Sequence, residues 1–505
     1  MAANRSDVNS KSAGPDGAED TGTAPEALPR SLLVLGAAVS LGVVMSTLDT
    51  TIVSVGLRSM GEELTAPLST VQWVTTSYLL AFSMVIPLVG WGVSRFGARR
   101  MWLSSLTVFV VGSALCGLAW SAESLIAFRA LQGLGGGMLL PLSQNILARA
   151  AGPKLMGRVM GMAAVPGMLS PVFGPLLGGL IVDHLDWSWL FYVNLPLGAV
   201  ALGLAAKLLP RDESTTRAPL DVLSVLLLSP GLAVLTLGFL DAGGPSGFSS
   251  TRAAGELLVG ALMLGGFVLH ALRRRNTAPL VDLRLFRHRS VAASAATSFL
   301  LGASLFGALF LFPLYQQLLR GQDAMAAGLL LAPQGLGAVL IAPRAGRLTD
   351  RYGAGKVVPV GMVLALLGTL PYAFVESDTS EVWLGGVLLV RGLGLGATFI
   401  PTLVAAYHGI DRTRIPDATS IVNISQRVGG SIGTALLSLV LQRSYQQQAG
   451  PDAVVTEVRA GTHAAAQLVP AFGSAFWWTL GFSAVALLPA LALPRRPAAG
   501  TAAHH

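Results

Sequence analysis

The stretch RALQGLGGGMLLP (Arg129–Pro141) returns 262 residues later as RGLGLGATFIP (Arg391–Pro401). Each copy opens on an arginine, runs through glycines and apolar residues, and closes on a proline. A second pair keeps nearly the same spacing: SRFGA (Ser94–Ala98) returns as DRYGA (Asp350–Ala354), 256 residues on. Two matches at similar offsets imply two halves built on one plan. The sequence around the copies decides what kind of half this is.

Of the 505 residues, 52% are hydrophobic and 12% are charged. Soluble domains carry about 25% charged residues. Apolar segments long enough to cross a bilayer as helices recur from end to end, so the chain is an all-α polytopic membrane protein. Fourteen spans are expected near 32–56, 71–91, 102–119, 124–148, 158–182, 189–209, 220–240, 255–271, 291–318, 325–343, 357–375, 382–405, 418–441 and 472–493. A count of twelve would make 220–271 a peripheral loop, but LDVLSVLLLSPGLAVLTLGFL and ELLVGALMLGGFVLHAL are too apolar and too long for one. The repeat then gives two six-span halves, 31–209 and 290–494, separated by an extra pair of spans and linkers at 210–289. Residues 1–30 read as a disordered tail, and 495–505 form a C-terminal tail. Repeated halves facing one another across a midplane site are a transporter plan.

Loop charge agrees with this count. Of the 34 Lys and Arg residues, 26 lie in the termini and alternate loops of one side. Five (Arg58, Arg252, Arg320, Arg443 and Arg459) lie on the other, and Arg129, Arg391 and Arg427 lie inside spans. The bias places both termini in the cytoplasm. The net charge of +8 therefore orients the chain on the inner leaflet and argues against nucleic-acid binding. No cleavable signal peptide is expected, because the first apolar run starts late and is full span length. The single cysteine, Cys116, excludes an intrachain disulfide and reads as a small apolar helix residue.

Four full charges lie well inside spans: Asp49, Arg129, Arg391 and Arg427. Each costs about 2.5–3.5 kcal/mol at mid-bilayer even on the mild insertion scale. Asp49 stands 17 residues after Leu32, about 25 Å along a helix. Arg129 stands about 8 Å inward from the opposite end of its own span. The two therefore share a depth in the outer half of the membrane and are able to pair. Gly42, Ser46, Asp49, Val53 and Gly56 form one small, polar helix side. Arg129, Gln132, Gly133, Gly136 and Leu140 form a second such side, and Asn423, Gln426, Arg427, Gly430 and Thr434 a third. Three polar stripes suggest a central, partly hydrated cavity. Arg391 is expected at the outer end of its span beside Glu376, Asp378 or Glu381. Arg427 either binds an anionic substrate group or latches its span. Trp73, Tyr78, Gln132, Gln316, Asn423, Gln426 and Arg427 are candidate substrate contacts in a mostly apolar pocket.

Read in order, the motifs resemble those of the major facilitator superfamily, specifically its fourteen-span drug:proton antiporter branch, over about residues 32–493. LDTTIVSVGL (Leu48–Leu57) resembles the branch's first-span motif, and GWGVSRFGARR (Gly90–Arg100) the loop motif after span 2. RALQGLGGG resembles the span 4 motif and SPVFGPLLGG (Ser170–Gly179) the antiporter motif of span 5. WSWLFYVNLPLG (Trp187–Gly198) adds a further signature. The resemblance implies a major facilitator fold and a proton-coupling role for Asp49, modulated by Arg129; the alternative is a structural ion pair that fixes helix packing. It implies gating roles for Gly90, Arg95, Gly97 and Arg99 and, in the second copy, for Asp350, Arg351 and Gly353. The family's usual loop acid is Ser94 here, so Asp350 is expected to carry more of the latch. Pro171, Gly174, Pro175, Gly178 and Gly179 give span 5 its bends and close packing.

Other chemistries are missing from the sequence. GAGKV (Gly353–Val357) lacks the P-loop spacing, GLGLG (Gly392–Gly396) follows no strand, and no HExxH, CxxC or GxSxG occurs. No enzyme, no cofactor, no metal site and no ATP use are expected, and the chain is expected to act as a monomer. The expected function is proton-driven export of hydrophobic drugs or antibiotics, neutral or monocationic, by alternating access. A substrate-specific importer or facilitator on the same fold is the alternative.

Overall fold

The computed structural model describes residues 28–212, 219–243, 247, 250–273, 279–322, 324–376, 379–450, 453, 455, 458 and 463–495. The N-terminal tail before residue 28, the C-terminal tail after 495 and Asp378 lie outside the described residues, as does the side chain of Pro171.

The described chain is helical. The first group comprises α1 (Arg30–Glu63), α2 (Leu68–Val85), α3 (Leu88–Phe96), α4 (Ala98–Gly117), α5 (Ala122–His184), α6 (Trp189–Tyr192) and α7 (Asn194–Leu208). Then come α8 (Val222–Ala242) and α9 (Thr251–Leu272). The second group runs α10 (Arg289–Arg320), α11 (Ala324–Leu329), α12 (Ala332–Tyr352), α13 (Ala354–Leu367), α14 (Glu381–Gly396), α15 (Phe399–Ala406), α16 (Ile415–Ala449) and α17 (His463–Ala490).

Twelve helical stretches are long and apolar enough to cross a membrane, and α2 with α3 forms one further span bent by 57°. One of the twelve, α5, has 63 residues and breaks at Gly152 (φ 63°, ψ 177°). At 1.5 Å per residue it would be about 95 Å long, three times a hydrocarbon core of about 30 Å. It therefore crosses twice, and the described chain has fourteen spans, as expected from the sequence.

In the first group, α1, α2 and α4 pack on α5; in the second, α10 packs on α16 and α17, and α12 on α14. The extra helices α8 and α9 pack on each other, and α8 bridges the groups by touching α2 and α16. The groups meet mainly along α5 and α12. A Cβ on Gly346 would lie 2.1 Å from the Gly157 carbonyl oxygen, and one on Gly161 2.5 Å from that of Ala342. Only glycine permits backbones to approach so closely.

The internal repeat extends to backbone geometry. Gly97 joins α3 to α4 with φ 90° and ψ 154°; Gly353 joins α12 to α13 with φ 82° and ψ 152°. Both angles lie where a side chain is strained. Both turns lie on the face that carries the described chain ends and most of the cations, here called the basic face.

Candidate functional site

Asp49 lies 19 residues into α1, about 28 Å from its start. Its carboxylate is fully buried and accepts three hydrogen bonds. Arg129 Nη1 of α5 donates to Oδ2 at 2.5 Å, and Gln132 Nε2 to Oδ1 at 2.8 Å. Asn194 Nδ2, the first residue of α7, donates to Oδ1 at 3.3 Å. Ser113 Oγ of α4 stands behind both amides, at 3.1 Å from Gln132 Nε2 and 3.0 Å from Asn194 Nδ2. Four helices thus converge on one carboxylate.

Arg129 is itself fully buried. Its Nη1 also donates to Gln132 Oε1 at 2.7 Å and its Nε to the Val74 carbonyl at 3.1 Å. Its Cζ lies 4.1 Å from the centroid of the Tyr78 ring. Nη2 has no hydrogen-bond partner among the described residues. Tyr78 is held in place by its hydroxyl, which donates to the Ser46 carbonyl at 3.1 Å. Asp49 is the counter-ion of Arg129, and removing either partner of such a buried pair leaves an uncompensated charge.

The expected pairing of Asp49 with Arg129 is therefore present, but its surroundings differ from the expectation. The stripes of α1 and α5 do not line a hydrated cavity; they face each other inside the first group. A Cβ on Gly136 would meet the Tyr78 hydroxyl at 2.6 Å, one on Gly42 the Trp102 ring at 2.8 Å, and one on Gly56 Leu190 at 2.2 Å. The small residues of the stripes close the helices onto one another.

The span 5 motif closes the same corner. A Cβ on Gly174 would lie 2.0 Å from Thr51 Oγ1, and one on Gly178 3.0 Å from the Ile52 carbonyl oxygen. Ser170 Oγ lies 2.8 Å from Thr47 Oγ1. The second half of α5 thus rests on the turn of α1 that carries Asp49. Gly179 is half-buried on the same helix, and Pro175 packs against Gly328 of the second group.

Arg391, the repeat counterpart of Arg129, corrects an expectation. It is buried rather than placed among outer acids. Its Nη1 donates to Gln334 Oε1, its Nε to Thr369 Oγ1 at 3.2 Å, and its Nη2 to the Ser304 carbonyl at 3.4 Å. Phe312 covers it, 5.3 Å from Cζ to ring centroid. The acid Glu381 instead meets Arg320 at 3.4 Å, and Glu376 accepts from the Tyr315 hydroxyl through its carbonyl.

On the basic face, Asp350 joins the groups. Its Oδ1 accepts from the backbone N–H of Gly157 and its Oδ2 from that of Arg158, each at 2.8 Å. These donors lie five and six residues after the break at Gly152, near the start of the second half of α5. The carboxylate thereby ties that helix to the other group. Gly353 packs against the Arg495 backbone, and Arg351 lies over the Tyr352 ring, 5.2 Å from Cζ to centroid. In the first copy, Ser94 Oγ donates to the Gly90 carbonyl at 3.1 Å. Two acids that the sequence reading passed over serve that corner. Asp212 accepts from the backbone N–H groups of Arg99 (3.0 Å) and Arg100 (3.4 Å), capping α4 over Gly97. Asp417, in the first turn of α16, places Oδ1 2.7 Å from where a Cβ of Gly90 would be. Arg99 also donates from Nη2 to the Ala206 carbonyl, and Arg95 is half-buried at the end of α3.

The substrate-contact candidates are not one cluster. Tyr78 and Gln132 belong to the Asp49 network. Trp73 is exposed near the far end of α2, and Gln316 is buried near that end of α10 with no partner for its Oε1 among the described residues. Asn423 Nδ2 of α16 donates across the groups to Gln144 Oε1 at 2.8 Å. Gln426 and Arg427 are half-buried further along α16, and Arg427 Cζ lies 4.3 Å from the Phe82 ring centroid and 5.7 Å from that of Phe306. Asn194 and Ser113 were missed by the sequence reading. The available signals are a polar residue in an otherwise apolar helical stretch and, for Asn194, its place in the WSWLFYVNLPLG motif.

Two packed helical groups, related by a sequence repeat and enclosing buried charge, define a membrane transporter. The family model of the Major Facilitator Superfamily matches residues 39–434, and the chain belongs to that family. It is 39% identical over 425 residues to a multidrug resistance protein B homolog of Mycobacterium tuberculosis, covering 84% of this chain and 78% of that one. It is 32% identical over 414 residues to the multidrug export protein EmrB of Haemophilus influenzae, covering 81% and 80%. The solved proton:xylose symporter XylE superposes with a TM-score of 0.63 at 14% identity, covering 91% of this chain and 95% of that one. That likeness concerns the fold.

Proposed function

We propose that the chain is a proton-driven antiporter that exports hydrophobic small molecules across a bacterial cytoplasmic membrane. It works as a monomer by alternating access of α1–α7 against α10–α17, with the basic face in the cytoplasm. The names of its multidrug-resistance and multidrug-export relatives support the cargo class. The positive-inside rule supports the orientation. The observation that carries the reading is the Asp49 cluster. It holds the only carboxylate deep within the described spans, and its donors come from helices that must shift if the first group rearranges.

Asp49 takes up the proton. Protonation removes one of its acceptor sites, releases Arg129 from its counter-ion and loosens α1 from α5 and α7. Arg129, already short of one hydrogen-bond partner, sets how readily that happens. Gly174 and Gly178 pass the change to the second half of α5, whose other end is held by Asp350 on the cytoplasmic face. Proton state and latch thus lie on one helix. Each inward charge supplies about 2.3 kcal/mol per 100 mV, enough to sustain more than a tenfold cargo gradient at about 1.4 kcal/mol per decade.

The test is dye accumulation in cells expressing the protein, with and without an uncoupler. The expected result is lowered accumulation that the uncoupler abolishes. Accumulation lowered equally in uncoupled cells, or raised by the protein, overturns the reading.

A further inference from the structure

Three arginines lie deep in the spans, and the structure treats them differently. Arg129 has a carboxylate. Arg391 has a side-chain carbonyl, a hydroxyl and a backbone carbonyl. The Arg427 guanidinium has neither an ion pair nor a hydrogen bond among the described residues. It stands 12 residues into α16, about 18 Å along the helix and so near the membrane midplane. What it has is two rings: Phe82 of α2 on one side of the interface between the groups and Phe306 of α10 on the other. Rings over a guanidinium recover only part of its hydration. An unpaired cation at this depth is a standing cost that a fold keeps for a use.

Arg427 is half-buried, in contrast with Arg129 and Arg391. Aromatic neighbours attract the faces of a guanidinium and leave the N–H groups in its plane free. That planar fork is the partner a carboxylate fits. One turn nearer the cytoplasmic face, the Asn423–Gln144 hydrogen bond ties the groups together and forms a floor beneath it. Asp49, the only deep acid, is already neutralised by Arg129, so the unbalanced charge at the midplane is positive.

We infer that Arg427 is the counter-ion for cargo: it takes the carboxylate of planar, hydrophobic aromatic acids, with Phe82 and Phe306 beside the ring system. This rests on the export reading and narrows it. The sequence favoured neutral or monocationic compounds because it showed a single deep acid. The structure has that acid occupied and leaves a cation open, which favours anionic cargo and disfavours cationic cargo. The energetics agree in sign. Exporting an anion while a proton enters moves net positive charge inward twice, so the membrane potential drives both steps.

The test is equilibrium binding of anthracene-9-carboxylate and its methyl ester to the full chain in lipid nanodiscs, with empty discs subtracted. The acid is expected to bind at least tenfold tighter than the ester. R427Q should bring the two within twofold, and R427K, which keeps the charge without the fork, should retain part of the preference. Failure of the acid to bind, equal binding of acid and ester, or a preference that survives R427Q overturns the proposal. So does an R427Q variant that weakens both ligands alike, which would make Arg427 a latch. If R427Q does not fold, R427K alone decides: an unchanged preference is a negative result. Uncoupler-sensitive dye efflux reads the export function separately. Selective binding without efflux would sink the export reading alone, and efflux without selectivity would sink this one alone.

Discussion

Arg129 and Arg391 are repeat counterparts 262 residues apart, both buried, both beside an aromatic ring. They differ in one respect. Arg129 faces a carboxylate from α1, whereas α10, the corresponding first helix of the second group, contains no acid at all. Gln334, Thr369 and Ser304 give Arg391 neutral acceptors that cannot change charge. One fold plan thus carries a buried ion pair in one half and a clasp of neutral acceptors in the other. The same asymmetry recurs at the turns. Gly97 and Gly353 have nearly identical backbones, yet only the second copy keeps an acid, Asp350, reaching across to the other group. A repeat preserves the frame, while single substitutions decide which copy does chemistry.

The largest expected effect separates the two arginine sites. Asp49→Asn preserves size and most hydrogen bonds but fixes the charge at zero. Uncoupler-sensitive efflux should fall at least 100-fold while the protein still inserts and purifies as a monodisperse species. Efflux within threefold of wild type would make the ion pair structural and erase the contrast between the halves.

Much of this contrast was legible before any coordinates. Asp49 and Arg129 were placed at one depth because helical rise converts residue count into height, and charge bias fixed the count of spans. What failed was direction. A polar stripe says that one side of a helix is special, not which neighbour it meets, so the α1 and α5 stripes were assigned to a hydrated cavity rather than to each other. Arg391 was assigned to nearby acids in sequence, yet it reaches sideways to Gln334, 57 residues away. Asn194 belongs to the WSWLFYVNLPLG motif, but nothing in a linear sequence shows that the first residue of α7 arrives over the α1 carboxylate.

The latch comes next in size. Asp350→Asn keeps the shape but removes the charge that accepts from the Gly157 and Arg158 N–H groups of the other half. Hydrogen bonds to a charged group are worth about 1.5–3 kcal/mol. Export should fall about tenfold, and a cysteine pair placed across the α5–α12 seam at the basic face should crosslink more slowly. Unchanged crosslinking would mean that the glycine contacts of Gly157 and Gly346 alone close that face.

Arg391→Met should be milder for transport and visible in stability. It leaves the buried Gln334 Oε1 without its Arg391 donor, at a cost of about 1–3 kcal/mol for a buried polar group so stranded, while Thr369 keeps its bond to the Ala365 carbonyl. Thermal unfolding should move down, while efflux per folded molecule should stay within threefold and remain fully sensitive to the uncoupler. A loss of uncoupler sensitivity would show that the second half also couples and would break the comparison.

The smallest effect is expected where the first copy lacks the acid. Ser94→Asp restores a carboxylate to the end of α3, and a simple reading of the repeat predicts a second latch and tighter closure. The geometry predicts otherwise. The Asp417 carboxylate already lies over Gly90, one turn before Ser94, and Asp212 already caps α4. A third acid finds no unpartnered helix end to cap and adds like charge to a crowded corner. Export should therefore change less than twofold in S94D, and Asp417→Asn should be needed in the same chain before the new acid helps. A gain above threefold in S94D alone would show that the missing acid, rather than its displacement to Asp417, is what distinguishes the first turn from the second.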